Sequence, residues 1–219
     1  DVTADAGSIT MASGTTTTSD TGAITYDATN DVALSVLTST SGAINVTADA
    51  GVANGVGAIS DNLSGETAVN LVTSGTATLS AATGIGSAGG DADIDTTIGT
   101  LAATNSTSGN IFVQETSGLI IGGAGVKTLL GNGNINVDVD AGRLTVDSVV
   151  TAHGSGTVTL NADAGTVDLN AVVSSTSGAI DITGDVVTQD SNISTGGSGT
   201  VDVTADAGSI TMASGTTTT

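Results

Sequence analysis

The sequence predicts an all-β fold, a right-handed parallel β-helix with about 22 residues per coil and about nine coils in a repeat of 201 residues. Three observations predict it. Aliphatic residues stand two apart behind a glycine, as in Gly156-Thr-Val-Thr-Leu and Gly165-Thr-Val-Asp-Leu. Such pairs share one face of an extended strand while the threonines take the other. The glycine-led phrase returns at nearly even spacing, as at Gly109, Gly133, Gly156 and Gly178. The 219 residues include 32 glycines but only one Phe, one Tyr and no Trp, Pro or Cys. Small aliphatics alone suit a narrow interior of stacked layers, whereas an ordinary globular core draws on aromatics for buried area.

The phrases start at Gly22, Gly42, Gly90, Gly109, Gly133, Gly156, Gly178 and Gly199, with a degenerate one near Glu66 carrying Val69 and Leu71. Most coils hold a second phrase shortly after the first, as in Gly42 then Gly51, Gly109 then Gly118, and Gly133 then Gly142. A third aliphatic stretch follows in Val149-Val150, Val172-Val173 and Val186-Val187. Three short sides per coil result. The linking Asn161-Ala-Asp-Ala-Gly165 reads as a turn in which Asp bonds nearby backbone and Gly takes a positive φ. Each strand pairs with the same side of the next coil about 4.8 Å away, so nine coils advance about 43 Å. Crossovers between parallel strands favour the right hand. The pattern slips between Val52 and Gly65 and between Gly84 and Gly90, where glycine is dense. Gly118-Leu-Ile-Ile-Gly-Gly is an unusually apolar side, read as a core strand with tight corners and, second to that, as a lateral contact between rods.

Above this short period lies a long one. Residues 1–18, DVTADAGSITMASGTTTT, return unchanged as residues 202–219. The chain therefore reads as one continuous solenoid over 1–219, with 1–201 one long repeat and 202–219 the start of the next. Further copies, joined end to end, are the expected partners, with lateral self-association a second possibility. One coil cannot bury its own inner face, so stability has to come from the neighbours above and below.

Charge excludes several functions. With 22 acids against Lys127 and Arg143, the formal net charge is −20. No basic footprint exists for nucleic acid or an anionic membrane. No apolar run reaches transmembrane length, so no membrane insertion is expected, and no signal peptide is read at the opening of the chain. A positive mean hydropathy argues against disorder despite the abundant Gly, Ser and Thr.

Candidate chemistry is sparse. Asp stands two residues before the second glycine at Asp5, Asp49, Asp140, Asp163 and Asp206, and nearby at Asp185; Thr73, Thr97 and Thr116 take the equivalent place elsewhere. Coils stacked in register would line up Asp140, Asp163, Asp185 and Asp206 on one corner. Such a row either splays into water, each Asp capping its own turn, or takes up calcium, which prefers oxygen ligands. No cofactor is required. Gly89-Gly90-Asp91-Ala92-Asp93 is a single echo of calcium-binding nonapeptides. His153 is the only histidine and sits in a Gly/Ser corner, so neither a His-based triad nor a zinc site can be assembled around it. Tyr26 and Phe112 are too far apart in coil order to form a sugar-stacking platform, and an enzyme is not expected. Outward Thr157, Thr159, Thr200 and Thr211 resemble ice-binding threonine ladders, but Ala23, Asn45, Asp168, Asp181 and Asp202 interrupt any flat array. Asn-x-Ser/Thr triplets at Asn45, Asn62, Asn105 and Asn192 arise easily by chance in this composition.

The phrases Gly199-Thr-Val-Asp-Val-Thr-Ala-Asp-Ala-Gly208 and Ser177-Gly-Ala-Ile-Asp-Ile182 resemble filamentous-haemagglutinin-type surface proteins and other giant bacterial repeat adhesins. The resemblance runs over nearly the whole chain and rests on composition and period. It implies a right-handed parallel β-helix, secretion from a bacterium to the cell surface, and the role of a long shaft in adhesion or a surface layer. The family's N-terminal secretion region has no counterpart here. The expected function is an extracellular structural segment of a fibre, sheath or adhesin stalk. The alternative is an adhesion module whose solenoid face grips calcium or another ligand.

Overall fold

A computed structural model describes residues 1–51, 54–65, 68–89 and 92–219. The phrase starts at Gly90 and Glu66, the slip boundary at Val52, and Gly90 and Asp91 of the nonapeptide echo lie outside the described residues. Among the described residues every regular element is a β-strand, and every strand pairing is parallel. The strands stack as a β-solenoid of about 9 turns, about 23 residues apart.

The coil that runs from Gly133 to Ala152 shows the construction. Ile135–Val139, Leu144–Val146 and Val150–Ala152 supply its three sides. Each alternates buried and half-buried positions, because successive side chains of a strand point to opposite faces. Each side continues a ladder that runs the length of the rod. The first ladder passes through Val2, Tyr26, Val46, Leu79, Ala103, Val126, Val150, Val173, Ile193 and Thr218. The second passes through Ile9, Val32, Ile59, Ile85, Ile111, Ile135, Val158, Ile180 and Val201. The third runs from Thr17 through Leu37, Leu71 and Thr96 to Glu115, which ends a strand of the second ladder; it resumes in the same coil at Leu119 and passes through Leu144, Val167, Val187 and Ile210. The inner columns are dry: Ile111, Ile135, Val158 and Ile180 are buried, as are Val113, Val137, Leu160 and Ile182 one step along. Each such side chain contributes about 1.5–3 kcal/mol by leaving water.

Glycine serves clearance as well as conformation. A Cβ on Gly133, Gly156 or Gly178 would fall far inside 3.0 Å of the carbonyl oxygen of the glycine one coil earlier, closer than a side chain can come. These corners touch backbone to backbone, and only hydrogen fits between them. Gly165 is a correction to the expected turn. It has no positive φ. Val158–Leu169 is one strand, with a register irregularity between Ala162 and Thr166 where a turn was expected. A Cβ on Gly165 would fall almost onto the oxygen of Gly142, so lack of space dictates this glycine.

The phrases do not keep to one side. Ile24 and Ile44, behind Gly22 and Gly42, stand on the first ladder. Ile111, Ile135, Val158, Ile180 and Val201, behind the later glycines, stand on the second. Between the two groups the coils lengthen: Tyr26 finds its next partner at Val46, but Val46 finds its own only at Leu79. The extra residues fall in the glycine-dense stretches, and the phase drifts by one side. The third stretches divide in the same way, with Val150 and Val173 on the first ladder and Val187 on the third.

Candidate functional site

The register brings the four predicted aspartates into one row. Val139 pairs with Ala162, Ala162 with Gly184 and Gly184 with Ala205, and an aspartate follows each of these residues. Asp140, Asp163, Asp185 and Asp206 thus succeed one another along the corner that leaves the second ladder. Asp5 and Asp49 leave the first ladder instead, behind Ala4 and Ala48, and belong to a different corner. Asp49 closes its own loop: its Oδ1 accepts from the backbone N–H of Asn54 at 2.7 Å and Gly55 at 3.2 Å, and its φ of 80° is left-handed.

Carboxamides interleave with the acids of the row. Gln114 Nε2 donates to Asp140 Oδ1 at 2.9 Å. Asn161 Nδ2 donates to Asp138 Oδ1 at 2.9 Å and to Asp163 Oδ1 at 2.5 Å. Gln114, Asp138 and Asn161 are themselves consecutive in register, close inside the row. Burial raises the pKa of Asp138 from its ordinary value by removing it from water; the charges of Asp163, Asp140 and Asp93 push the same way, and the Asn161 bond opposes them. Among the described residues no three His, Cys, Asp or Glu side chains converge at cation-binding distance. One oxygen of Asp140 and one of Asp163 already accept from amides.

Glu115 is the residue that sequence reasoning passed over. It is fully buried at the end of Ile111–Glu115, on the inward phase after Ile111 and Val113. Its Oε2 accepts from Thr96 Oγ1 at 2.8 Å and Ile98 N at 2.9 Å; its Oε1 accepts from Ser117 N at 3.0 Å and Ser117 Oγ at 2.8 Å. Burial raises its pKa, and these four bonds pull the other way. A carboxylate inside the solenoid thus receives two backbone N–H groups, those of Ile98 and Ser117, from two successive coils. The signal was available: an acid on the aliphatic phase of a strand.

Other candidates separate. Tyr26 is buried on the first ladder, its hydroxyl 2.7 Å from Thr17 Oγ1, while Phe112 faces outward on the second. His153 is exposed, with Nδ1 2.8 Å from the oxygen of Gly131. Leu119 and Ile121 are core and Ile120 points out, so Gly118-Leu-Ile-Ile-Gly-Gly is a core side with one exposed large side chain. The outward row Phe112, Asn136, Thr159, Asp181, Asp202 is chemically mixed. A groove of about 490 Å³ on the third face is lined by hydroxyls and aliphatics such as Thr38, Val72, Thr97, Ile98 and Ser117, with no acid or base. It offers no group that could move a proton. No protein-family model, no curated protein sequence and no solved structure matches the chain.

Proposed function

We propose that the chain is a structural segment of a long extracellular rod, the shaft of a fibre, sheath or surface adhesin, and that it performs no catalysis. The observation that carries this reading is the pair of identical 18-residue segments, each built into the same three parallel ladders. A stack whose end coils carry open ladders is extended by whatever chain next supplies the same strands. Stiffness then follows from continuous backbone hydrogen bonding, and length from the number of repeats. The resemblance to filamentous-haemagglutinin-type repeats supports export to a bacterial surface. Electron microscopy of the native material tests the reading. Unbranched rods, longer by about 40 Å for every further repeat, are expected; compact, monodisperse particles overturn it.

A second reading, an adhesion module that takes up calcium on its acidic corner, draws on the crowding of Asp138 by Asp163 and Asp140. A cation beside Asp140, Asp163, Asp185 and Asp206 would relieve that repulsion. Calorimetric titration with calcium separates the two: a plain shaft gives little heat and an unchanged melting temperature.

A further inference from the structure

We infer that consecutive long repeats are turned by one side of the coil relative to each other, so that each surface of one repeat reappears on a different side in the next. This rests on the reading that repeats follow one another in a rod, and the geometry comes from the two copies of one segment. In the first copy Val2 pairs with Tyr26 on the first ladder, and Ile9 with Val32 on the second. Thr17 pairs with Leu37 on the third. In the second copy Val203 pairs with Ile182 on the second ladder, Ile210 with Val187 on the third, and Thr218 with Ile193 on the first. All three sides have advanced by one.

The count of turns agrees. Along the first ladder Val2 reaches Ile193 in eight steps, and Val203 lies one side beyond. A repeat is therefore eight turns and one side. The odd side arises in the long coils between Ile44 and Ile111, where two turns and one side take up the chain of about three ordinary turns.

The first copy shows what lies after this segment and the second shows what lies before it, so together they define the junction. Second-ladder strands of one repeat continue as first-ladder strands of the next. The rise per repeat is about 40 Å and the rotation about 120°, before any twist of the stack is added. Three repeats complete a whole number of turns and restore the starting face. The row from Asp140 to Asp206 and the groove beside Val72 are then presented in three directions around the rod. A neighbouring rod meets the same surfaces whichever way it approaches, a geometry suited to bundles or sheaths.

Cysteine pairs in the full 219-residue chain test the rotation, since the protein has no cysteine of its own. Asn45 and Thr78 are register partners across the long coil, as are Thr25 and Asn45 across a short one and Asp181 and Asp202 at the second copy. Neighbouring parallel strands bring Cα atoms to about 4.8 Å, inside the range a disulfide spans. Under mild oxidation N45C/T78C should close as fully as T25C/N45C and D181C/D202C, read as a gel shift reversed by reductant. Closure of the two control pairs without N45C/T78C, or failure of D181C/D202C alone, overturns the rotation. Closure of all three pairs in a protein that microscopy finds as compact particles overturns the shaft and leaves the rotation standing. In fibres the same inference demands a helical reconstruction with about a third of a turn per repeat; zero rotation overturns it.

Discussion

The coils from Gly133 to Ala205 and the stretch from Ala48 to Glu115 are built from the same residues by different means. In the regular coils partners recur at nearly even spacing, as from Ile135 to Val158, Ile180 and Val201. Their inner columns are Val, Ile and Leu, and glycine backbones meet at the corners. In the irregular stretch the spacing widens, with Val46 waiting for Leu79, and polar groups go inside. Asn70 Nδ2 donates to Asp61 Oδ1 and its Oδ1 accepts from Asp95 N; Thr73 Oγ1 donates to the oxygen of Gly42; Glu115 gathers four donors. The regular coils bury fewer polar side chains, Ser175 and Gln189, which also bond backbone: Ser175 Oγ donates to the oxygen of Gly156 and accepts from Gly178 N, and Gln189 Nε2 donates to the oxygens of Ser191 and Thr217. A coil of unequal length opens gaps in the ladders, and buried side chains fill them.

That contrast can be broken most severely at Glu115. Replacing it with Ala leaves the N–H groups of Ile98 and Ser117 and the Ser117 hydroxyl without this acceptor, while Thr96 Oγ1 keeps the oxygen of Gln114 at 3.0 Å; the change should cost about 4 kcal/mol in urea melts. In the regular coils Leu160→Ala opens a cavity in a column of aliphatics and should cost about 3 kcal/mol. Hydrogen exchange should then rise in that coil and its neighbours only, because a solenoid couples adjacent layers. Gly156→Ala drives a methyl into the oxygen of Gly133 and should cost about 2 kcal/mol, with the loss again confined to adjacent coils.

Titration sharpens the comparison. Glu115 holds its proton more tightly folded than unfolded, where its ordinary value is 4.5. The folded state therefore binds more protons between the two values, and stability falls with rising pH there. Glu115's share of stability is complete below 4.5 and is lost as pH rises through the folded value. Asp138 acts with the same sign from 3.8 upward. Urea midpoints measured from acid to neutral pH should decline, and Glu115→Gln should flatten that decline whatever it does to absolute stability. The smallest effect belongs to the surface. Arg143 donates to Asp168 Oδ2 at 2.6 Å from an exposed position, and Arg143→Ala should change stability by less than about 1 kcal/mol in a melt.

Much of the coil was legible in the sequence. Val158, Leu160, Val167 and Leu169 are buried as their spacing requires, and Asp140, Asp163, Asp185 and Asp206 stand in one row. Legibility failed where distance along the chain stopped measuring turns. The phrases at Gly22 and Gly109 look alike yet lie on different sides, since the intervening coils absorb extra residues at corners that carry no aliphatic signal. Glu115 was hidden for a related reason: its value lies in the donors of Thr96, Ile98 and Ser117 that stacking brings to it.

The copies at 1–18 and 202–219 divide the two kinds of information. Their identical sequence sets the short strands and the inward phase of Val2 and Val203, because alternation along a strand is a property of the backbone. It does not set which ladder they join or how deeply they are covered. Met11 is 8% exposed and its copy Met212 is 49% exposed. Position around the rod is the accumulated length of all the coils before it, and burial is the work of the neighbouring layer, so both are decided only when the turns are stacked.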